Sequence, residues 1–344
     1  MLLYLRSKED FQPAKERLTA LGVEHNFLPE SLVFEISAEL SIYPPSILIS
    51  RISDFGRVEA MPTKTPLLDT LPVDHEVIVR VQGAAEPLRF RNHPKQAIWI
   101  AGPCSLDESN DLMENARRLS SLGVQALRGG AVKPRTSPHE FQGVGRRGYA
   151  LLAEAAHAFG MAAVSEAMSE EDVDEAAEHI DIIQVGARNM QNFSLLKKLG
   201  RSGRAILLKR GPGATLKEWA LAAEYLLSAG NRNVILCERG VRGLERELRY
   251  TMDLAGAAFM QQRYSLPIVV DPSHATGIKQ ILDACTAGAL AMGFAGVMLE
   301  THPRPMEARS DSLQALTPED FAAIAQKHLR PQRAGRAILQ PVSH

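Results

Sequence analysis

The chain has 344 residues, and at about 150 residues per domain that length asks for two domains, or one large α/β domain with an appendage. Hydrophobic residues make up 45% and charged residues 23%, which supplies a sizeable core and excludes wholesale disorder. Lys plus Arg total 39 against 40 Asp plus Glu, a net charge of -1, so nothing global points to nucleic acid or a membrane surface and any anion site must be local.

The opening run MLLYL (1–5) stops short of the roughly 7 to 15 apolar residues of a signal core, and no export signal is predicted. Residues 2–5 then read as a strand, 11–21 as a helix, 25–28 and 32–36 as strands, 45–55 as a helix and 57–61 as a strand. This βαββαβ order is the split-βαβ, ferredoxin-like pattern, and it defines a small N-terminal α+β domain over residues 1–65. Pro66, Pro72, Pro87 and Pro94 punctuate the following stretch, which reads as a linker over 66–97 with one extra strand at 77–81.

From residue 98 a different rhythm sets in: a short apolar run ends in a polar cluster and is followed by a segment of helical periodicity. The apolar runs fall at 98–101, 124–127, 162–165, 180–183, 205–208, 233–236, 267–270 and 296–299, with amphipathic stretches at 107–122, 147–159, 170–179, 215–229 and 277–291. Eight such units predict an α/β fold of the (β/α)8 TIM-barrel class over 98–330, a fold that typically takes about 250 residues. Residues 331–344 read as a flexible tail. The most apolar stretch, 287–299, falls short of the roughly 20 residues needed to cross a bilayer. Three cysteines, Cys104, Cys237 and Cys285, show no CxxC spacing, which suits a reducing cytoplasm.

Active sites of (β/α)8 barrels lie at the C-terminal ends of the strands, so the residues closing each apolar run carry the functional signal. Arg128, Lys133, Arg135, Arg188, Lys209 and Arg239 all fall there or in the loop after the second run, in a chain that is nearly neutral. Guanidinium forks match phosphate and carboxylate oxygens, and this many cations exceed the need of one monophosphate, so two anionic substrates are expected. Taken singly, each of these cations has a competing reading as a partner of a nearby carboxylate such as Glu166 or Glu238. Cys104, His274, Glu300 and Asp311 form a second constellation on the first, seventh and eighth runs, which closure of a barrel makes neighbours. Cys, His and two carboxylates suit a divalent metal with room for substrate or water. His302 is read as facing away from Glu300, and Cys237 and Cys285 as core.

At these positions the sequence resembles the 3-deoxy-D-arabino-heptulosonate 7-phosphate (DAHP) synthase family, type I. The resemblance rests on AGPCS (101–105), LRGG (127–130), KPRTS (133–137), QVGARN (184–189), LKRG (208–211), LCERG (236–240), DPSH (271–274) and ETHP (300–303). Residues 1–65 resemble the regulatory extension of one subgroup. The resemblance implies the first step of the shikimate pathway, condensation of phosphoenolpyruvate with erythrose 4-phosphate, dependent on one divalent ion (Mn, Fe, Co or Zn). By position, it implies that Arg128, Lys133, Arg188, Lys209 and Arg239 hold phosphoenolpyruvate and that Arg135, Thr136 and Ser137 take the aldose phosphate. It places the metal on Cys104, His274, Glu300 and Asp311, and gives catalytic roles to Lys133, Glu166 and His274. Feedback by an aromatic amino acid and assembly as a homo-oligomer, with a tetramer expected, belong to the same picture.

Three other readings remain open on the residues alone. One is the sister synthase that uses arabinose 5-phosphate, against which KPRTS (133–137) argues. Another is a Schiff-base aldolase on Lys209. The third is a non-catalytic amino-acid sensor.

Overall fold

A computed structural model describes residues 1–38, 41–60, 63–107, 111–133, 139, 141–309 and 314–329. The N-terminal domain consists of β1 (Leu2–Leu5), α1 (Phe11–Ala20), β2 (His25–Leu28), β3 (Val33–Ile36), α2 (Pro45–Ile52) and β4 (Gly56–Glu59). The sheet runs β2-β3-β1-β4 with every pair antiparallel, the order that two interleaved split βαβ units produce. Both helices bury one stripe on the sheet: Ala14 and Leu18 of α1, and Leu48 and Ile52 of α2, meet Leu3, Leu5, Phe34 and Ile36 in a core of their own.

Residues 66–97, expected to be a linker with one strand, hold more structure than that. Helix α3 (Pro66–Asp69) starts on a proline, which has no amide proton to leave orphaned, and its next two amides, Leu67 and Leu68, donate to the Glu224 carboxylate at 2.8 and 3.0 Å. Asp69 of the same helix forms a buried ion pair with Arg263 at 2.7 Å. Strand β5 (Val77–Val79) pairs antiparallel with β6 (Leu88–Phe90), and Val77, Val79, Val81 and Phe90 pack against Ile98, Ala126, Ala162 and Ala205 at the starts of barrel strands. The hairpin therefore closes the barrel floor. Its second strand is short and carries an exposed arginine, Arg89, which explains why its apolar signal is weak.

The barrel strands are β7 (Ile98–Gly102), β8 (Ala126–Arg128), β9 (Ala162–Glu166), β10 (Ile182–Val185), β11 (Ala205–Lys209), β12 (Val234–Glu238), β13 (Ile268–Val270) and β14 (Gly296–Glu300). All eight pair in parallel, and β14 closes onto β7 from Gly296 opposite Ile98 to Glu300 opposite Gly102. The predicted runs are shifted where they start early: 180–183 becomes Ile182–Val185, because Ile180 instead ends the preceding helix. Around the barrel lie α4 (Leu112–Ser121), α5 (Arg147–His157), α6 (Val173–His179), α7 (Phe193–Gly200), α8 (Leu216–Ser228), α9 (Leu254–Tyr264), the short α10 (Pro272–Thr276), α11 (Leu282–Ala291) and α12 (Pro318–His328). Several start where a side chain caps the first turn, as Asp111, Asn192, Thr215, Asp253 and Thr317 each accept a backbone amide. None of the described helices is long and apolar enough to cross a membrane.

Strand alternation divides the barrel core in two. Trp99, Leu127, Ala163, Ile183, Ile206, Leu208, Leu236 and Val270 face the helices, while Ile100, Ala126, Val164, Ile182, Leu207, Ile235, Cys237, Val269 and Met298 fill the interior. Continuing the interior parity to the C-terminal strand ends delivers Arg128, Glu166, Gln184, Lys209, Arg239, Asp271 and Glu300. One periodicity thus builds both the hydrophobic floor and the polar mouth above it.

Candidate active site

Cys104 follows β7 by two residues and is 4% exposed. Its Sγ lies 3.5 Å from His274 Nε2, and His274 Nε2 lies 3.5 Å from Glu300 Oε2. The ligand atoms of all three lie within 4.8 Å of one another, and all three residues are buried. Two residues before Cys104, Gly102 adopts a φ of +148°, and a Cβ there would stand 2.0 Å from the Arg128 carbonyl, so the chain leaving β7 can pass this close to β8 only with glycine.

His274 was expected at a strand end and lies instead in the first turn of α10. Asp271 is the N-cap of that helix and accepts the His274 amide at 3.1 Å; its carboxylate also meets His274 Nδ1 at 3.0 Å. A carboxylate only accepts, so the imidazole proton sits on Nδ1 and the Nε2 lone pair is aimed at Cys104 and Glu300. Burial pushes the His274 pKa down to about 3 against the opposing pull of Asp271, leaving the ring neutral. Neutral imidazole oriented by a carboxylate, beside a sulfur and a second carboxylate, is a donor set that suits a divalent metal. Asp311, the fourth expected ligand, lies outside the described residues, as do Arg135, Thr136 and Ser137.

The cations behave in different ways. Arg128 is 4% exposed; its Nη2 donates to the Cys104 carbonyl at 3.3 Å, and its Nη1 is buried with no hydrogen-bond partner among the described residues. Burial alone would lower the Arg128 pKa, but the charges of Cys104, Glu300 and Asp271 outweigh it and hold the guanidinium protonated. Lys133 Nζ lies 2.8 Å from Cys104 Sγ. The segment from β8 to Lys133 is held at both ends, where Ser165 Oγ donates to the Gly129 carbonyl and the Lys133 amide donates to the Gln142 carbonyl. Lys209 meets the reading in which a strand-end cation pairs with a carboxylate, through Asp271 at 2.7 Å. Arg239 is 7% exposed, lies 4.4 Å over the Tyr250 ring and has no ion-pair partner among the described residues. Arg188 sits in the exposed turn Ala187–Asn189 on the rim.

Glu166 and Glu238, each the last residue of its strand, point to different sides of the barrel. Glu166 points inward, takes a hydrogen bond from Gln184 at 2.9 Å and fills the space beside Gly186, where a Cβ would stand 2.0 Å from its Oε1. Glu238 points outward to Arg210 at 3.2 Å, and Arg210 also reaches Asp253 at 2.8 Å and leans on Trp219. His302 shares its parity with Glu300, so continued alternation would put it on the same side and not facing away. The strand ends at Glu300, however, Thr301 bridges to Leu316, and His302 Nε2 packs 3.9 Å from Asp107 Oδ1. Cys237 is core as expected, 0% exposed. Sequence reasoning missed Asp271, Gln184 and Gln314 as site residues. Asp271 carried a usable signal, an N-cap residue followed by proline and, three residues on, by a histidine.

Fold and site together define a (β/α)8-barrel protein whose mouth brings a buried Cys–His–Glu cluster together with the buried cations Arg128, Lys209 and Arg239. The chain belongs to the DAHP synthetase I family, whose family model matches residues 91–332. A phospho-2-dehydro-3-deoxyheptonate aldolase of Thermotoga maritima is 47% identical over 228 residues, which cover 66% of this chain and 68% of that protein. The crystal structure of a phospho-2-dehydro-3-deoxyheptonate aldolase (DAHP synthase) from Thermotoga maritima is similar with a TM-score of 0.71 and 36% identity, covering 95% of this chain and 94% of that one. A truncated form of 3-deoxy-D-arabino-heptulosonate 7-phosphate synthase from the same organism has a TM-score of 0.66 and 40% identity, covering 74% and 90%. More distant is a 2-dehydro-3-deoxyphosphooctonate aldolase of Methylobacterium radiotolerans, 28% identical over 267 residues, which cover 72% of this chain and 93% of that protein.

Proposed function

We propose that the chain catalyses the condensation of phosphoenolpyruvate, erythrose 4-phosphate and water to DAHP and inorganic phosphate, the first step of the shikimate pathway. The observation that carries this reading is the unsatisfied Arg128 Nη1 buried beside the Cys104–His274–Glu300 cluster, an anion donor and a metal-competent set at one mouth. A divalent ion held by Cys104, His274 and Glu300, with Asp311 as the expected fourth ligand, would supply Lewis-acid polarisation of the aldehyde oxygen. Arg128, Lys133, Arg188, Lys209 and Arg239 bind the phosphate and carboxylate of phosphoenolpyruvate, and Arg135, Thr136 and Ser137 the aldose phosphate. Neutralising two anions that repel each other, and fixing their faces, lets C3 of phosphoenolpyruvate attack the aldehyde carbon. Water then adds at C2, positioned by Glu166, and the hemiketal phosphate collapses with loss of phosphate by C–O cleavage. Lys133 and Glu166 are the groups read as holding or delivering protons, a role for Lys133 that its position 2.8 Å from the Cys104 sulfur supports.

The test is phosphate release from phosphoenolpyruvate by metal-free protein, with erythrose 4-phosphate or arabinose 5-phosphate, before and after adding Mn(II). Release that needs both the metal and the four-carbon sugar supports this reading; release with the five-carbon sugar moves the activity to the sister synthase, and none with either sugar overturns it. Residues 1–65, whose described part forms a core separate from the barrel core, are read as the domain that binds an aromatic amino acid effector. Assembly as a homo-oligomer, first of all a tetramer, and a cytoplasmic setting that keeps the free thiols reduced complete the reading.

A further inference from the structure

The loop between β12 and α9 touches both halves of the mouth. It leaves Arg239, forms an antiparallel bridge between Val241 and Thr251, and returns along α10, where the Arg249 amide donates to the Thr276 carbonyl at 3.0 Å and the Tyr250 amide to the Ala275 carbonyl at 2.8 Å. Gly277, with φ at +70°, makes room for the Arg249 stem; a Cβ there would already stand 3.1 Å from Arg249 Cβ. On one side of the loop Tyr250 lies under Arg239. On the other, Arg249 Nη1 donates to Gln314 Oε1 at 2.8 Å, and Gln314 Nε2 donates to Glu300 Oε2 at 2.7 Å. Gln314 is 4% exposed and its segment is fixed to the end of β14, since the Leu316 amide donates to the Glu300 carbonyl and the His302 amide to the Leu316 carbonyl.

The chemistry of this chain of contacts is specific to a glutamine. Its neighbours are a guanidinium, which only donates, and a carboxylate, which only accepts, so the amide must present its oxygen to Arg249 and its nitrogen to Glu300. A glutamate at 314 would set two carboxylates face to face, and an apolar side chain would leave both neighbours without this contact. We propose that Gln314 is a positioning residue through which Arg249, on the β12–α9 loop, holds the Glu300 carboxylate in register with Cys104 and His274 for metal binding. This rests on the reading of those three residues as metal ligands. Carboxylate ligands are themselves held by hydrogen bonds, and loss of such an outer partner typically weakens metal affinity about 10- to 100-fold.

The experiment titrates metal-free protein with Co(II), following the thiolate-to-Co(II) charge-transfer absorbance contributed by Cys104, which reports affinity without turnover. Gln314→Leu is expected to bind Co(II) about 10- to 100-fold more weakly than the unaltered chain. Arg249→Met, at an exposed position and with its stem retained, should weaken binding in the same direction; Arg249→Lys, which keeps a donor for Gln314 Oε1, should recover part of the loss. In the Gln314→Leu background Arg249→Met should add no further loss, because the two act through one contact. Equal affinity in the unaltered chain and Gln314→Leu would overturn the positioning role while the metal reading stands, and so would independent, additive losses from the two substitutions. An unaltered chain that gives no thiolate-to-Co(II) band would overturn the metal reading and this proposal with it.

Discussion

A single proton settles how the buried histidine can serve. His274 sits between a capping carboxylate and a sulfur, and with its pKa pushed down to about 3 by burial it remains a lone-pair donor rather than a cation. Cys237, on the same interior parity as Lys209 and Asp271, shows the opposite use of burial. Its surroundings push the thiol up to about 12 from an ordinary value of 9.0. The sign follows from proton counting: between about 9 and 12 the unfolded chain gives up this proton and the folded chain keeps it. Its contribution to stability is therefore fully present below about pH 9 and lost as pH rises through that interval. Denaturant unfolding at pH 8 and pH 10.5 should show a larger loss for the unaltered chain than for Cys237→Val, and iodoacetamide at pH 8.5 should label Cys237 only after unfolding, as read by peptide mass spectrometry. Cys104, one floor above and beside Lys133, differs from Cys237 by its place along the barrel axis, which no count of cysteines in the sequence could express.

At the level of elements, the hairpin of β5 and β6 departs furthest from the linker expected over residues 66–97. Phe90 is fully buried among Ile98, Ala126 and Ala162, so the hairpin belongs to the barrel and not to a tether. Truncating it in Phe90→Ala removes a whole aromatic side chain from a packed floor and should cost about 3–5 kcal/mol of unfolding free energy, measured by urea titration. A flexible linker would give a change within error. The eight barrel strands, by contrast, were legible as apolar runs, because parallel strands covered on both faces read as continuous Val, Ile, Leu and Ala. Strand β6, Leu88–Phe90 with the exposed Arg89 at its centre, carries no continuous apolar run, and its pairing partner is set by a turn and a floor that only exist once the barrel has closed.

The described residues form three hydrophobic clusters: the helix–strand shell, the barrel interior with its hairpin, and the N-terminal core. The N-terminal cluster draws only on residues from the first 60, whereas α3 is tied to the barrel by Glu224 and by the buried Asp69–Arg263 pair. A cut ahead of residue 63 should therefore leave a folded, active barrel that has lost inhibition by aromatic amino acids, while removal of residues 1–95 strips the floor and should abolish folding. Circular dichroism and phosphate release on both truncations check this. Inhibition that persists without residues 1–60 would place the effector site elsewhere.

The order of apolar runs and the residue types at their ends determined the barrel, its mouth and most of the expected ligands, because strand periodicity and chain order are local properties that a sequence carries directly. It equally determined that Arg128, Glu166, Lys209, Arg239 and Glu300 share a face, through nothing more than alternate parity. What only the tertiary structure decided is which of those charges are spent on one another. Lys209 is held by Asp271, Arg210 is turned outward to Glu238, and Arg128 keeps a buried N–H without a partner among the described residues. Likewise the link from Arg249 through Gln314 to Glu300 joins residues up to 65 positions apart. Such pairings depend on distances of about 3 Å between side chains on different strands and loops, and closure of the barrel sets those distances.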